Sequence, residues 1–158
     1  KSDQEIFNSQ QREVLDPSPE LELEADIPEL ERRLQDQGLV SLEEYIPGIK
    51  VALKYSTTDN FFGQDVYGDL TKAFLQPEVA NRLKDAQEKL QANYPNLTLL
   101  IYDGVRPLSV QQILWDNLDK PDSLKPLYVA DPKVGSLLNF GVAVELIIYD
   151  NVCGQPMD

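Results

Sequence analysis

The sequence has no histidine among its 158 residues and a single cysteine, Cys153. Without histidine the chain lacks the usual proton shuttle near neutral pH and the commonest metal ligand. Serine and cysteine triads that rely on an imidazole are excluded, as are His-rich zinc centres. One cysteine allows no intramolecular disulfide and no cysteine-based zinc knuckle. Cys153 falls in Asp150-Asn151-Val152-Cys153-Gly154, a turn-like stretch with no basic neighbour to activate a thiolate, and reads as a structural or incidental thiol. Basic residues are scarce as well: 14 Lys and Arg against 27 Asp and Glu give a formal charge of -13. That balance excludes nucleic acid as a partner, because phosphate binding needs clustered Lys and Arg. It also opposes attraction to an anionic membrane surface. No stretch approaches the roughly 18 consecutive apolar residues of a membrane span. The first residues, Lys1 to Phe7, carry no apolar signal-peptide core, which fits a mature or trimmed chain or one never exported.

What is present suffices for one folded domain with its own core. Hydrophobic residues make up 42% and charged residues 26%, ordinary values for a globular protein. The acidity is uneven. Residues 1–38 hold eleven acids and four bases, about half of the net charge, and read either as an acidic arm for a protein partner or as a solvated leader. Residues 1–26 show no sustained apolar period and include the linker-like Asp16-Pro17-Ser18-Pro19, so they are expected to form a mobile arm. From Ile27 a short helix is expected, with Pro28 in its first turn, Leu30 and Leu34 on one side and Gly38 just beyond its end. The organisation is therefore an acidic arm with a short helix over 1–38 and a domain over 39–158.

Within the domain, Leu39 to Tyr55 reads as two short strands broken at Pro47-Gly48. In the second, Ile49, Val51, Leu53 and Tyr55 alternate with Lys50, Ala52 and Lys54. A helix is expected from about Pro77 to Ala92, burying Val79, Leu83, Ala86 and Leu90. Leu97 to Tyr102 reads as a buried strand. A second helix follows Arg106-Pro107, with Val110, Ile113, Leu114 and Leu118 at helical spacing. Residues 119–135, with Pro121, Pro126 and Pro132, form a long loop of the kind that is functional or disordered. A last strand, apolar on both faces, spans Val142 to Tyr149. The order β-β-α-β-α-loop-β argues an α+β fold instead of a doubly wound parallel sheet.

Three polar features stand out. Asp103-Gly104-Val105-Arg106-Pro107 lies at the end of the buried strand, where a rigid scaffold presents side chains to a cleft. Arg106 there is either a fixed cation for a carboxylate or developing oxyanion, or a structural partner of Asp103. Glu145 is a carboxylate in an apolar strand; it is a remnant ligand or acid–base group, or it is solvated or paired with a base such as Arg106. Gly135-Ser136-Leu137-Leu138-Asn139-Phe140-Gly141 is a glycine-bracketed loop feeding that strand.

Together these features resemble the D-alanyl-D-alanine dipeptidases, zinc peptidases of vancomycin resistance and cell-wall dipeptide turnover. The resemblance covers Leu39 to Asp158, about three quarters of the chain. Glu44-Tyr45-Ile46-Pro47-Gly48-Ile49-Lys50 precedes Tyr55-Ser56-Thr57-Thr58-Asp59-Asn60-Phe61, which is similar to the family's Y-A-T-x-D-N-F signature. Tyr102 to Pro107 resembles D-G-Y-R-P, with Val105 at the tyrosine. Ser136 through Glu145 resembles S-x-H-x-x-G-x-A-x-D.

The resemblance implies a DD-peptidase (hedgehog-type) fold, a central and mostly antiparallel sheet flanked by helices, with the C-terminal part missing. In the family the last motif supplies two zinc ligands, and a later E-x-x-H motif supplies a general base and the third. Here the histidine position is Leu138 and the aspartate position is Glu145, and the sequence stops before an E-x-x-H. Catalytic zinc needs three protein ligands at about 2.0–2.2 Å. Leucine has no lone pair, and glutamate reaches further than aspartate by about one C–C bond, beyond the roughly ±0.2 Å tolerance of ligand distances. The resemblance therefore implies no cofactor here although the family uses zinc, and no metal ligands. It implies Arg106 as a vestigial oxyanion stabiliser, with Ser136, Asp103 and Glu145 facing substrate. The expected function is an inactive dipeptidase-like domain acting as a binding or accessory subunit. The alternative is an altered or truncated copy of an active enzyme. A small peptide or cell-wall fragment is the implied ligand, and the periplasm or cell envelope the implied location.

Overall fold

The computed structural model of the chain describes residues 28–157, so the arm expected over residues 1–26 lies outside the described residues. The first described element is helix α1 (Glu29–Asp36), which follows Pro28 and gives way to Gly38 at a φ of 82°. Leu34 of α1 is buried in the core, and the buried Glu31 faces Lys72 at 3.8 Å. The helix is therefore packed onto the rest of the fold.

Strand β1 (Val40–Ser41), helical turn α2 (Leu42–Tyr45) and strand β2 (Lys50–Val51) come next. The sequence reading of two plain strands across Leu39 to Tyr55 is corrected here. Leu42 and Ile46 are fully buried one helical turn apart, so the first segment coils after two strand residues. The second strand stops at Val51, and Lys54–Ser56 forms a 3-10 turn that places Tyr55 in the core. Strand β3 (Phe74–Leu75) pairs antiparallel with β1, in the register Val40 to Leu75 and Ser41 to Phe74.

Helix α3 (Pro77–Asn93) opens with proline at its first position, where a missing N–H costs nothing, and ends before Tyr94-Pro95. Its buried stripe is Ala80, Leu83 and Gln87, flanked by the half-buried Val79 and Leu90, whereas Ala86 is exposed. The expected face was thus rotated. Gln87 turns inward because it bonds β4 twice: Nε2 donates to Thr98 Oγ1 at 2.6 Å, and Oε1 accepts from Leu99 N–H at 2.9 Å. The Thr98 hydroxyl continues to the Gly48 carbonyl at 2.7 Å, tying the Pro47-Gly48 turn to the same point.

Strand β4 (Leu97–Asp103) is the centre of a four-stranded sheet ordered β2-β4-β5-β6. It runs parallel to β2 and antiparallel to β5 (Glu145–Asp150), which forms a hairpin with β6 (Gln155–Pro156). The last strand starts at Glu145, three residues later than the apolar alternation suggests. Leu99 and Ile101 are buried in the core that includes Phe74, Leu75 and Leu114, and Leu100 is buried outside that cluster. Helix α4 (Leu108–Asn117) buries Val110, Gln111 and Leu114, leaving Ile113 exposed. Residues 119–135 form the expected loop, interrupted by a 3-10 turn at Lys125–Leu127. The class is α+β, as the element order implies, and among these pairings only β2 with β4 is parallel.

Candidate functional site

The end of β4 is where the sheet becomes a site. Pairing with β5 is regular from Leu97 to Ile101, then shifts, so that Asp103 faces Glu145 across the strands. Two carboxylates placed opposite one another repel unless a cation lies between them. Arg106 is that cation. Its Nε and Nη2 donate to Asp103 Oδ2 at 3.0 and 2.5 Å, and Nη2 also donates to Glu145 Oε1 at 3.2 Å. Nη1 donates to Gln111 Oε1 at 3.3 Å, and the Tyr55 ring lies 4.9 Å from the guanidinium carbon. Asp103 Oδ1 accepts from the Tyr67 hydroxyl at 2.6 Å and from the Gly104 N–H at 3.0 Å.

Local backbone constraints fix this geometry. A Cβ on Gly104 would sit 2.8 Å from the Phe74 carbonyl oxygen, so only glycine lets β4 pass β3 this closely. Val105 N–H then bonds that same carbonyl at 2.8 Å. Arg106 is fastened to the Ser136 loop on both sides of its peptide: its N–H donates to the Leu138 carbonyl at 3.0 Å, and its carbonyl accepts from Asn139 Nδ2 at 2.8 Å. Asn139 Oδ1 accepts from Ser136 N–H at 2.6 Å. Gly141 closes the loop at a φ of 66°, where a Cβ would meet Leu39 Cδ2 at 2.7 Å.

The four residues singled out in the sequence therefore divide. Asp103, Arg106 and Glu145 form one ion-pair cluster. Ser136 lies in the loop that holds Arg106, and its Oγ is buried with no hydrogen-bond partner. The sequence reading missed Tyr55, Tyr67 and Gln111 as members of the cluster. Gln111 left a signal, a polar side chain beside Val110 and Leu114 on the buried stripe of α4. Tyr67 left none, since it reaches Asp103 from 36 residues away.

Burial sets the electrostatics. It pushes the Asp103 carboxyl up, against the lowering effects of Arg106, Tyr67 and the Gly104 N–H. It pushes Glu145 up as well, opposed by Arg106. Arg106 stays charged: burial disfavours its cation, but Asp103 and the two tyrosines outweigh that and raise its pKa. Tyr67 is pushed far up, first by burial and then by Asp103, so it remains a donor.

A family model described as D-ala-D-ala dipeptidase matches residues 35–140. The chain belongs to this family. It is 34% identical over 112 residues to the D-alanyl-D-alanine dipeptidase of Escherichia coli (strain K12), covering 71% of this chain and 54% of that protein. It is 26% identical over 137 residues to the enzyme of the same name from Enterococcus faecalis (strain ATCC 700802 / V583), covering 76% and 65%. With the Enterococcus faecium protein it shares 27% over 129 residues, covering 71% and 61%. The chain thus spans between about half and two thirds of these relatives' lengths.

Family membership raises the question of zinc, and the residues present do not fit it. Among the described residues no group of three or more His, Cys, Asp or Glu side chains converges to hold a metal ion. Leu138 contributes its backbone carbonyl to Arg106 and has no donor atom in its side chain. Glu145 is already engaged by the guanidinium. Among the described residues no helix is long and apolar enough to cross a membrane.

Proposed function

We propose that this chain is a catalytically inactive D-alanyl-D-alanine dipeptidase-like domain serving as a binding or accessory subunit. One observation carries the reading: at the two ligand positions of the zinc motif stand Leu138 and a Glu145 paired with Arg106 at 3.2 Å. Without zinc nothing lowers the pKa of water to about 7, and the hydrolytic nucleophile is lost. On this reading Arg106 is a vestigial oxyanion stabiliser, and Asp103, Ser136 and Glu145 belong to the former substrate side. The finer fold is the DD-peptidase (hedgehog-type) one. The ligand is a small peptide or cell-wall fragment met in the periplasm or cell envelope, and the acidic residues 1–38 dock a protein partner, with α1 among them packed on the domain through Leu34. The test is direct: zinc and D-Ala-D-Ala added to the pure chain should release no alanine. Turnover that a chelator abolishes would overturn the proposal.

A second reading draws on the 54% of the E. coli relative that the chain covers. It makes this chain an altered or truncated copy of an active zinc dipeptidase of cell-wall peptide turnover. The full open reading frame tests it, since the absence of a downstream E-x-x-H would end that idea.

A further inference from the structure

Strand β2 is the outermost strand on its side of the four-stranded sheet. Ala52 N–H donates to the Ile101 carbonyl at 2.9 Å, so the alternation of backbone groups along a strand turns the N–H and C=O of Val51 the other way, to the outer edge. No strand among the described residues pairs with that edge. Such an edge is a template for one more strand. Its two sides differ. Val51 is half-buried against the core. Lys50 is exposed, lies over the Tyr149 ring at 5.0 Å, and enters no salt bridge among the described residues. The edge borders a cavity of about 430 Å³ whose lining includes Val51, Leu53, Lys54, Thr57 and Thr71.

The chain that enters α1 arrives beside this cavity. Glu31 Oε1 accepts from the Thr71 N–H at 3.4 Å, and Pro28 precedes Glu31 by about 4.5 Å along the helix axis. Pro28 is extended, at a φ of -51° and a ψ of 140°, and a residue before proline is biased to extended backbone, so Ile27 favours a strand. The stretch that leads to it has the pattern of an edge strand. Leu21, Leu23, Ala25 and Ile27 alternate without a break with Glu20, Glu22, Glu24 and Asp26. The reading of residues 1–26 as lacking an apolar period is thus corrected for its last stretch, where the period is two. One face is apolar, like the Val51 side of the sheet, and the other is acidic, opposite in charge to the Lys50 side. Eight residues supply about 26 Å of strand, against about 13 Å for Lys50 to Leu53.

We infer that residues 20–27 pair in the same molecule with the outer edge of β2, laying Leu21, Leu23 and Ala25 on the Val51 side and their acidic neighbours on the Lys50 side. The pairing covers the open edge and leaves residues 1–19 for a protein partner. Catalysis, present or absent, does not bear on it. The test is amide hydrogen exchange at Val51, followed by NMR on the 15N-labelled full chain at low ionic strength. In the wild type the Val51 N–H should exchange slowly, as a bonded group. Leu21→Ser with Leu23→Ser should speed that exchange about tenfold or more, because two leucines lose their burial. Lys50→Glu, a change at an exposed side chain, should speed it a few-fold by repelling the acidic face. Ile6→Ser with Phe7→Ser, an equal apolar loss outside the alternating stretch, should leave it unchanged. Exchange at the rate of an unbonded amide in the wild type, or no response to either the leucine pair or Lys50→Glu, would overturn the inference. So would protection that grows with protein concentration, since that would put a second copy on the edge.

Discussion

Removing the Arg106 guanidinium would leave Asp103 a buried carboxylate held by Tyr67 and the Gly104 N–H alone. Breaking one side of a buried ion pair costs about 3–5 kcal/mol, so Arg106→Leu should lower unfolding stability by that order in urea. Arg82→Ala, which breaks an exposed pair with Glu78, should leave the urea midpoint unmoved. Gly104→Ala drives a Cβ into the Phe74 backbone at 2.8 Å and should cost about 1–3 kcal/mol, again read as a urea midpoint. Much of this site was legible in the sequence. Asp103 and Arg106 are polar residues at the end of an apolar strand, and the Arg106–Glu145 pairing was one of the two readings open for Glu145. The aromatic wall was not legible, because Tyr55 and Tyr67 reach Arg106 and Asp103 through tertiary packing that leaves no local pattern. Glu145 also lies beyond the family match at residues 35–140, so its correspondence with the family aspartate rests on spacing from Ser136.

Elements with a long period could be read, and elements of two residues could not. Helix α3 and strand β4 follow their apolar patterns, whereas β3 and β6 are too short to show alternation and exist because β1 and β5 offer them partners. The rotated face of α3 has a specific cause: Gln87 is held inward by two hydrogen bonds to β4 that no helical wheel contains. Gln87→Ala should therefore cost about 1–3 kcal/mol by stranding the Leu99 N–H, with urea unfolding as the measurement. Helices α1 and α2 meet over Lys72, which bonds Glu44 at 2.8 Å and faces Glu31. Glu43 beside them is raised above its ordinary 4.5, chiefly by burial, with Glu31 and Glu44 adding to the shift and Lys72 opposing it. A carboxyl raised on folding contributes stability that is fully present below its unfolded pKa and lost as pH rises through the folded value. The wild type should thus lose stability relative to Glu43→Gln as pH climbs above 4.5, in paired urea midpoints across pH 4–7. A flat difference would rule this out.

Across the whole molecule, the family match spans residues 35–140, and the hydrogen bonds that hold its last loop are made by protein groups. The loop from Ser136 to Gly141 is fastened by hydrogen bonds to Arg106 and Gln76 and by the turn at Gly141. None of these contacts calls for a metal. Folding should accordingly be indifferent to zinc, whereas an ion held by the native state at 100 times its Kd would add about 2.7 kcal/mol and raise the melting temperature by several degrees. The most direct test is zinc content after equilibrium dialysis against micromolar zinc, followed by a melting curve with and without EDTA. The expected result is far less than one zinc per chain and superimposable curves. One tightly retained zinc per chain, with a melting temperature that falls on chelation, would contradict the account.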